Sequence, residues 1–350
     1  MRKLTFALLI LLVFVRYFST LPDYQDGQRL RIKGVVLSEP VSFGDRQRIV
    51  IAGLKIYLPL YPTIKYGDKI IIEGRVEDGF LKDPMLLNHE VSKNLLYKLR
   101  DRVISFYKRN LPEPDASLVA GITLGAKADI PEEFYEKLKN TGTLHVVVAS
   151  GTNVTFVAIF MINILINFIK RRRAILLSII SIWIYTAISG FDAPLVRAAI
   201  MGSLAFTAQA LGKQSTALNS LFISALIMLL VIPSWFSDVG FILSFVATLS
   251  LILFERKINS KICFVPRIFR EGLSTSLAAQ IGVSPVLIYF FGGISLIGPF
   301  INALILWTVP FIMVVGLASG LMSLIWELPA KYLLLLSYPF TRYFEILVSI

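Results

Sequence analysis

The chain contains few of the residues that build disulfides and metal centres. Its 350 residues include one cysteine, Cys263, and two histidines, His89 and His145. A single cysteine excludes an intramolecular disulfide, and two histidines exclude most histidine-based metal sites. We therefore expect neither a metal nor another cofactor, and nothing in the sequence leads us to expect an enzyme.

Charged residues are also scarce. They make up 17% of the chain, whereas 55% of the residues are hydrophobic and the mean hydropathy is +0.71. Soluble domains average about 45–50% apolar residues, and the excess here lies in long apolar runs, which predicts a polytopic α-helical membrane protein. The formal net charge is nevertheless +12. Such an excess marks cytoplasmic loops, although it can also serve an anionic partner such as DNA or acidic lipid.

The apolar runs predict membrane spans along most of the chain after residue 140. They lie at about 144–169, 174–189, 194–211, 217–233, 238–254, 273–291, 294–309, 311–326 and 330–350. Several are shorter than the roughly 20 residues that a straight span needs. Glycine and proline stand inside or at the ends of many runs, for example at Pro194 and Pro285. We therefore expect kinked, broken or re-entrant helices.

Basic loops set the predicted orientation. Two basic residues precede an apolar run at the start of the chain, which predicts an uncleaved membrane anchor over residues 1–28 with its N-terminus in the cytoplasm. The basic clusters at 170–173 and 256–270 then also fall in the cytoplasm. The same count places residues 29–92 outside the cell membrane.

Residues 29–92 alternate polar and apolar side chains in several short runs, as half-buried strands do, and turn residues separate these runs. The pattern predicts a small extracytoplasmic β-barrel, with an OB-fold as the natural candidate. Such folds bind single strands through a basic groove with exposed aromatic side chains. The aromatic residues here can serve that purpose or fill the core, and both interpretations stay open. They are Phe43, Tyr57, Tyr61, Tyr66 and Phe80.

Residues 93–140 are predicted to form basic amphipathic helices at the membrane interface. Over residues 93–110 there are six basic residues and one acidic residue. Leu96, Leu99 and Val103 recur on one helical face. One interpretation is an interfacial helix that lies on anionic lipid, and the other is a basic collar that guides an anionic polymer.

A polar segment interrupts the first long apolar run. Ser150-Gly151-Thr152-Asn153 stands within it, and His145 precedes it by about one helical turn. Polar groups at bilayer depth are costly unless they face protein or a water-filled path. A chain that keeps them there is expected to move or bind something polar.

Arg197 also lies inside or at the end of an apolar run. An arginine there costs roughly 3 kcal/mol or more unless it is paired or hydrated. Asp192 and Asp238 are candidate partners for a structural ion pair, and the alternative is a cation that lines a pore. Amide side chains in the runs can join helices to one another, but together with Arg197 and His145 they favour a hydrated interior. These amides are Asn153, Asn163, Asn219, Gln280 and Asn302.

Five short motifs follow one another along the chain. They are Leu124-Gly125 with Thr141-Gly142 and residues 145–154, then residues 196–199, Leu218-Asn219, residues 240–247 and residues 302–310. Each is weak alone, but the ordered set resembles the ComEC family of competence DNA-uptake channels from about residue 29 onward. Two positions depart from the family pattern, because its second histidine is Asn153 here and the glutamine of its Gly-Phe-Gln-Leu-Ser-Phe element is Ile242.

The resemblance implies an inner-membrane channel over residues 141–350 that carries single-stranded DNA into the cytoplasm during natural transformation. Besides DNA and membrane lipids, the implied partners are a separate translocating ATPase and a separate nuclease, since the chain has neither a Gly-x-x-x-x-Gly-Lys loop nor a His-x-His-x-Asp-His run. Whether the channel is a homo-oligomer stays open. We expect eight side chains to line the DNA path. They are Arg197, His145, Ser150, Asn153, Asn219, Gln280, Asn302 and Lys127.

Two other functions were weighed against DNA transport. A membrane channel or scaffold for another solute, lipid or polymer is the main alternative, because charge and polarity do not identify nucleic acid. An intramembrane serine hydrolase at Ser150 is disfavoured, since a nucleophilic serine needs a base within hydrogen-bond reach. His145 is five residues away and faces another side of the helix.

Overall fold

The computed structural model describes residues 12–19, 27–36, 40–43, 45–51, 53–77, 79–127, 130–148 and 150–349. Within these ranges the strands come first, as β1 (Arg29–Val35), β2 (Val41–Phe43), β3 (Arg46–Ile51), β4 (Leu54–Pro59), β5 (Lys69–Glu77) and β6 (Phe80–Glu90). Of the anchor predicted at 1–28, residues 12–19 are helical, and most of the remainder lies outside the described residues.

Helices make up the rest of the described chain. They are α1 (Leu95–Asn110), α2 (Asp115–Leu124), α3 (Glu132–Asn140), α4 (Leu144–Val147), α5 (Gly151–Leu165), α6 (Arg171–Ser189), α7 (Ala193–Ala210), α8 (Ala217–Val231), α9 (Val239–Lys261), α10 (Arg267–Phe291), α11 (Gly298–Ile305), α12 (Val309–Ser323), α13 (Glu327–Leu335) and α14 (Tyr338–Val348). A short 3₁₀ helix, Pro233–Ser237, lies between α8 and α9.

The strands form one sheet in the order β1-β5-β6-β4-β3-β2. Neighbouring strands are antiparallel except β4 and β6, which run parallel. Successive side chains of a strand point to opposite faces, and the inward set, which includes Ile49, Ile56 and Ile72, builds a hydrophobic core. The alternation seen in the sequence is therefore the alternation of a half-buried sheet.

Within the described residues the sheet is open, because β1 pairs with β5 alone and β2 with β3 alone. A barrel needs a ladder of hydrogen bonds that closes on itself, so the predicted barrel is not confirmed. The two sides of the sheet do approach at one point. A Cβ on Gly34 of β1 would lie 2.7 Å from Ile51 Cγ2 on β3, and a glycine permits this contact.

Several helices are long and apolar enough to cross a membrane. In the described part of the chain these are the combined segment Leu144–Leu165, α6, α9 and α10, and the bent pair of α11 and α12 adds a fifth if it counts as one span. The two halves of that pair meet at 51°. The run predicted as one span over 330–350 is divided between α13 and α14. The chain is thus a multi-pass membrane protein with broken helices.

Helix α1 packs into the largest hydrophobic core. Val103, Phe106 and Tyr107 are buried, and the Tyr107 hydroxyl donates to the Gly316 carbonyl of α12 at 2.7 Å. At Gly320, about one turn further along α12, a Cβ would lie 2.6 Å from Tyr107 Oη. Much of the apolar face expected at a lipid interface therefore faces protein, because Gly320 of α12 makes room for it. Basic side chains on the opposite face remain exposed.

The sheet segment meets the membrane helices at the last turn of α6. The Tyr66 hydroxyl donates to the Ala187 carbonyl at 3.4 Å, and the Arg100 guanidinium lies 5.5 Å from the centre of the Tyr66 ring. Burial raises the pKa of Tyr66 above its usual range. Since α6 begins in the basic cluster 170–173, the sheet lies at the opposite end of that helix.

Candidate functional site

The polar segment found in the sequence forms a break between α4 and α5. Helix α4 ends at Val147, and the backbone is extended at Ser150 (φ −115°, ψ 170°) before α5 begins at Gly151. Among the described residues no side chain caps α5. The first N–H groups of a helix lack intrahelical acceptors and carry partial positive charge. This end of α5 can therefore receive an anion.

Arg197 of α7 lies against the same end of α5. Its Nη2 is 3.0 Å from the position that a Cβ would take on Gly151, and its Nε donates to the Ser244 hydroxyl of α9 at 2.7 Å. The guanidinium also lies 5.9 Å from the centre of the Phe245 ring. Glycine at 151 permits this close contact, because a Cβ there would press against the guanidinium and against Ala198 Cβ. Arg197 thus joins α5, α7 and α9 at one point.

The structural ion pair considered for Arg197 is wrong. Asp192 binds Lys127 instead, with 2.6 Å between Oδ2 and Nζ, and Asp238 caps α9 by accepting the Phe241 N–H at 2.7 Å. Both aspartates lie at helix ends, and each is already bonded to a donor other than Arg197. Within the described residues Arg197 contacts a hydroxyl, a thioether and a ring but no carboxylate. Its charge is costly among apolar helices unless water or an anion compensates it.

Asn153 is buried and joins two helices. Its Nδ2 donates to the Ile122 carbonyl of α2 at 2.7 Å, and its Oδ1 accepts from the Ser150 hydroxyl at 3.3 Å. His145 is exposed, with Nδ1 2.9 Å from the Gly142 carbonyl. In the part of the chain that the structure describes, no hydrogen bond links Ser150 to His145. The arrangement therefore provides no activated serine.

A second cluster of residues, Gly142, His145, Gln280 and Ser295, connects the α4 region to α10. A Cβ on Gly142 would lie 3.1 Å from Ser295 Cβ, and Gln280 of α10 donates to the Ser295 carbonyl at 2.9 Å. Because the carbonyl of Gly142 also meets the His145 ring, His145 and Gln280 are linked through two small residues. This second cluster involves residues that precede the α4–α5 break, whereas Arg197 contacts Gly151, which follows the break.

The remaining predicted residues differ in their surroundings. Asn302 of α11 is buried and donates to the Ser276 hydroxyl at 2.9 Å, while its Oδ1 has no partner within the described residues. A buried oxygen of this kind favours a bound water. Asn219 is exposed in the first turn of α8 and joins neither Arg197 nor the second cluster. Over the described ranges no three acidic, cysteine or histidine side chains are arranged to hold a metal ion.

The exposed face of the sheet carries aromatic and basic side chains next to each other. The rings of Tyr57 and Phe80 stack with their centres 6.2 Å apart and 22° between their planes. Lys55 Nζ lies 5.5 Å from the centre of the Phe80 ring, and Arg48 is the cross-strand partner of Tyr57. Both rings are half-buried. Aromatic and basic side chains in this combination are the kind that bind single-stranded nucleic acid.

The other aromatic candidates fall elsewhere. Tyr66 is buried at the junction with the membrane helices, whereas Tyr61 is 78% exposed. The Phe43 side chain lies outside the described part of the structure. Sequence reasoning named Tyr57 and Phe80 but missed the cations beside them. The register of β3, β4 and β6 brings these side chains together. In the sequence, the available signal was the alternation of polar and apolar residues within each strand.

Comparison with known proteins identifies the family. The Competence protein family matches residues 122–350, which include the α4–α5 break and Arg197. ComE operon protein 3 of Bacillus subtilis (strain 168) is 26% identical over 261 residues, which are 73% of this chain and 32% of that protein. The chain thus spans about a third of the length of this curated relative. No solved structure matches. Because the family match covers more than half of the chain, the resemblance inferred from the motifs is confirmed, and this chain belongs to the competence protein family of ComEC type.

Proposed function

We propose that this chain forms a channel in the cytoplasmic membrane through which single-stranded DNA enters the cytoplasm during natural transformation. The observation that carries the proposal is Arg197, a guanidinium without a carboxylate partner in the described chain, beside the uncapped start of α5. Family membership supports nucleic acid as the cargo, since competence is the capacity of a cell to take up DNA.

A phosphodiester matches both features of this site. Its negative charge would compensate the guanidinium of Arg197 in a charge-assisted hydrogen bond, and its oxygens would accept from N–H groups at the start of α5. The missing side chain at Gly151 lets the guanidinium lie against the start of α5, and Ser150 directly precedes this helix. Neither contact reads a base, so transport by this site would be independent of sequence.

The second cluster would continue the path. His145, Gln280 and Asn302 offer neutral donors and acceptors that replace water around a phosphate without holding it tightly, and weak sites in series favour conduction over trapping. Asn153 would shape the break through its bond to α2. We assign Lys127 to the outer end of the path, where its ion pair with Asp192 leaves both groups partly exposed.

Outside the membrane, the exposed face of the sheet would receive the strand. Tyr57 and Phe80 offer ring faces on which bases stack, and Arg48 and Lys55 offer charges for the backbone. The exposed basic side chains of α1 would extend this surface toward the membrane.

We propose the same domain boundaries that the sequence predicts. Residues 1–28 form an anchor with a cytoplasmic N-terminus, 29–92 an OB-like unit outside, 93–140 basic helices and 141–350 the channel. A separate ATPase would supply energy and a separate nuclease would supply single strands. The positively charged loops at 170–173 and in the α9–α10 connection support this orientation.

The proposal is tested by replacing Arg197 with glutamine and following labelled DNA in competent cells. We expect DNA to accumulate at the cell surface while DNA in the cytoplasm falls on the order of tenfold or more, since a hydrogen bond to a charged group contributes about 1.5–3 kcal/mol. Arg342→Gln is the matched control, because Arg342 is already paired with Asp115 and Glu345. That variant should lower protein stability without a selective loss of transport.

Normal import of DNA by Arg197→Gln at normal membrane levels would contradict the role of Arg197. Unchanged import after deletion of the whole chain would contradict the channel itself. That second outcome would favour a channel or scaffold for another solute, lipid or polymer.

A further inference from the structure

Phe191 has a backbone conformation that bulky residues avoid. Its φ is +50°, which lies in the left-handed region. Within the described residues one other non-glycine residue, Asp83, has a positive φ, and aspartate tolerates this region because its short polar side chain bonds locally. A phenylalanine has no such compensation, so the conformation is strained.

The end of α6 does not explain the choice of phenylalanine. Helix α6 terminates at Gly190, whose φ is +115°, and the Phe191 N–H closes the helix end by donating to the Thr186 carbonyl at 3.1 Å. Glycine or asparagine would complete the same termination without strain. The ring does not fill a core either, because Phe191 is 40% exposed. The local conformation thus disfavours phenylalanine, and burial of part of the ring is its only visible compensation within the described chain. This combination indicates a use for the exposed part of the ring.

Phe191 lies close to the junction between the sheet segment and the membrane helices. The carbonyl of Ala187, four residues earlier, contacts Tyr66 of the sheet segment. Asp192, the next residue, directly precedes α7, the helix that carries Arg197. Phe191 therefore lies between the sheet, where we assign the first contacts with DNA, and the proposed phosphate site.

We propose that Phe191 is a stacking residue for unpaired bases at the outer mouth of the channel. This inference rests on the proposed function and adds to it a residue that contacts the bases. An exposed ring accepts any base, because every base has a face on which a ring can stack. In a duplex those faces are covered by neighbouring base pairs, so the ring favours a single strand.

The test uses the full chain in lipid nanodiscs and two labelled oligonucleotides, one of deoxythymidine and one abasic strand of equal length and charge. In Phe191→Gly we expect affinity for the ordinary strand to fall about fivefold or more, while affinity for the abasic strand stays at the wild-type value. The same variant should unfold at a higher temperature, because glycine adopts the left-handed conformation without strain. Phe191→Trp should restore affinity. Phe168→Ala, which removes a ring that is 81% exposed at the far end of α5, should change neither quantity.

Three outcomes would overturn the inference. One is unchanged affinity of Phe191→Gly for the ordinary strand, and another is an equal loss for both strands. The third is a lower unfolding temperature for Phe191→Gly, since that would mean that the ring is held by packing in protein or lipid. If the wild-type protein binds neither oligonucleotide, the proposed function is contradicted as well. If the wild-type protein binds and only the substitution of Phe191 has no effect on affinity, the proposed function is not contradicted.

Discussion

At the scale of single residues, the contact of Gly151 with α7 is the most sensitive point of the proposed path. A Cβ at this position would lie 3.0 Å from the Nη2 of Arg197 and 3.2 Å from the Cβ of Ala198. The guanidinium can rotate away, but the methyl group of Ala198 is fixed by its helix. A side chain at 151 must therefore turn the arginine aside or separate α5 from α7.

We expect Gly151→Val to reduce DNA import about as strongly as the loss of Arg197, because the guanidinium leaves the start of α5. Gly202→Ala on α7 is the matched control, since a Cβ there meets Ile182 Cδ1 at an ordinary 3.6 Å. Cytoplasmic labelled DNA, normalised to the amount of protein in the membrane, measures the effect. Equal import by both variants would show that the Gly151 contact is unimportant.

Substitution of Asn153 distinguishes a structural role of this residue from a role in DNA transport. Asn153→Ala leaves the buried Ile122 carbonyl without its donor, which should lower the free energy of unfolding by about 1–3 kcal/mol. Ser150→Ala, which removes a longer bond of 3.3 Å, should change it much less. Thermal unfolding in detergent measures both. If Asn153→Ala instead kept its stability and lost DNA import, Asn153 would belong to the path itself.

At the scale of elements, Gly320 of α12 lets α1 pack closely against that helix. Tyr107 donates to the Gly316 carbonyl, and a Cβ on Gly320 would lie 2.7 Å from Val103 Cγ1. The packing of α1 on α12 therefore depends on the absence of a side chain at Gly320. From the sequence, α1 shows an amphipathic pattern, but the pattern cannot say whether lipid or another helix covers the apolar face.

We expect Gly320→Ala to destabilise the protein by about 1–3 kcal/mol, as overpacking of a filled core does. Gly293→Ala is the control, since nothing lies within 4 Å of a Cβ there. The two unfolding temperatures in the same detergent are compared. If they are equal, α1 adjusts to the added methyl group and the close packing is not required.

The exposed face of the sheet yields a prediction about DNA binding. Replacing both Tyr57 and Phe80 with alanine should weaken the binding of single strands by about 1–3 kcal/mol per stacked base. Met85→Ala is the control, because Met85 is 62% exposed on β6 but has no ring. Fluorescence anisotropy with the full chain in nanodiscs measures both affinities. Binding should also weaken steeply as salt rises, and equal affinities for the two variants would place DNA on another surface.

At the scale of the whole molecule, the lone cysteine reports the orientation. Cys263 is exposed in the connection between α9 and α10, which the proposal places in the cytoplasm. A membrane-impermeant maleimide should therefore leave it unlabelled in intact cells and label it in inverted vesicles. In a Cys263→Ser background, Tyr61→Cys on the sheet segment should show the opposite pattern, since Tyr61 is 78% exposed. Labelling of Cys263 from outside would reverse the proposed topology.

The kinds of element were predictable from the sequence, but many of their contacts were not. Alternation indicated the strands between residues 29 and 92, and the polar residues at 150–153 indicated a broken helix. Arg197 was recognised as anomalous, yet its partner Ser244 lies 47 residues away along the chain, and sequence spacing says nothing about such a pairing. Asp192 was near enough in sequence to suggest an ion pair, but Lys127 competes for it across 65 residues.

Helix α1 is fastened at both ends. Four residues separate it from β6, and its Tyr97 ring meets the Tyr66 ring edge-on with 4.9 Å between their centres. Near its other end, Tyr107 is tied to Gly316. Sixteen residues make a helix of about 24 Å, and its two contacts connect the sheet segment to α12. A displacement of the sheet segment would therefore be expected to tilt α1 against α12, so that the two parts of the molecule are mechanically coupled.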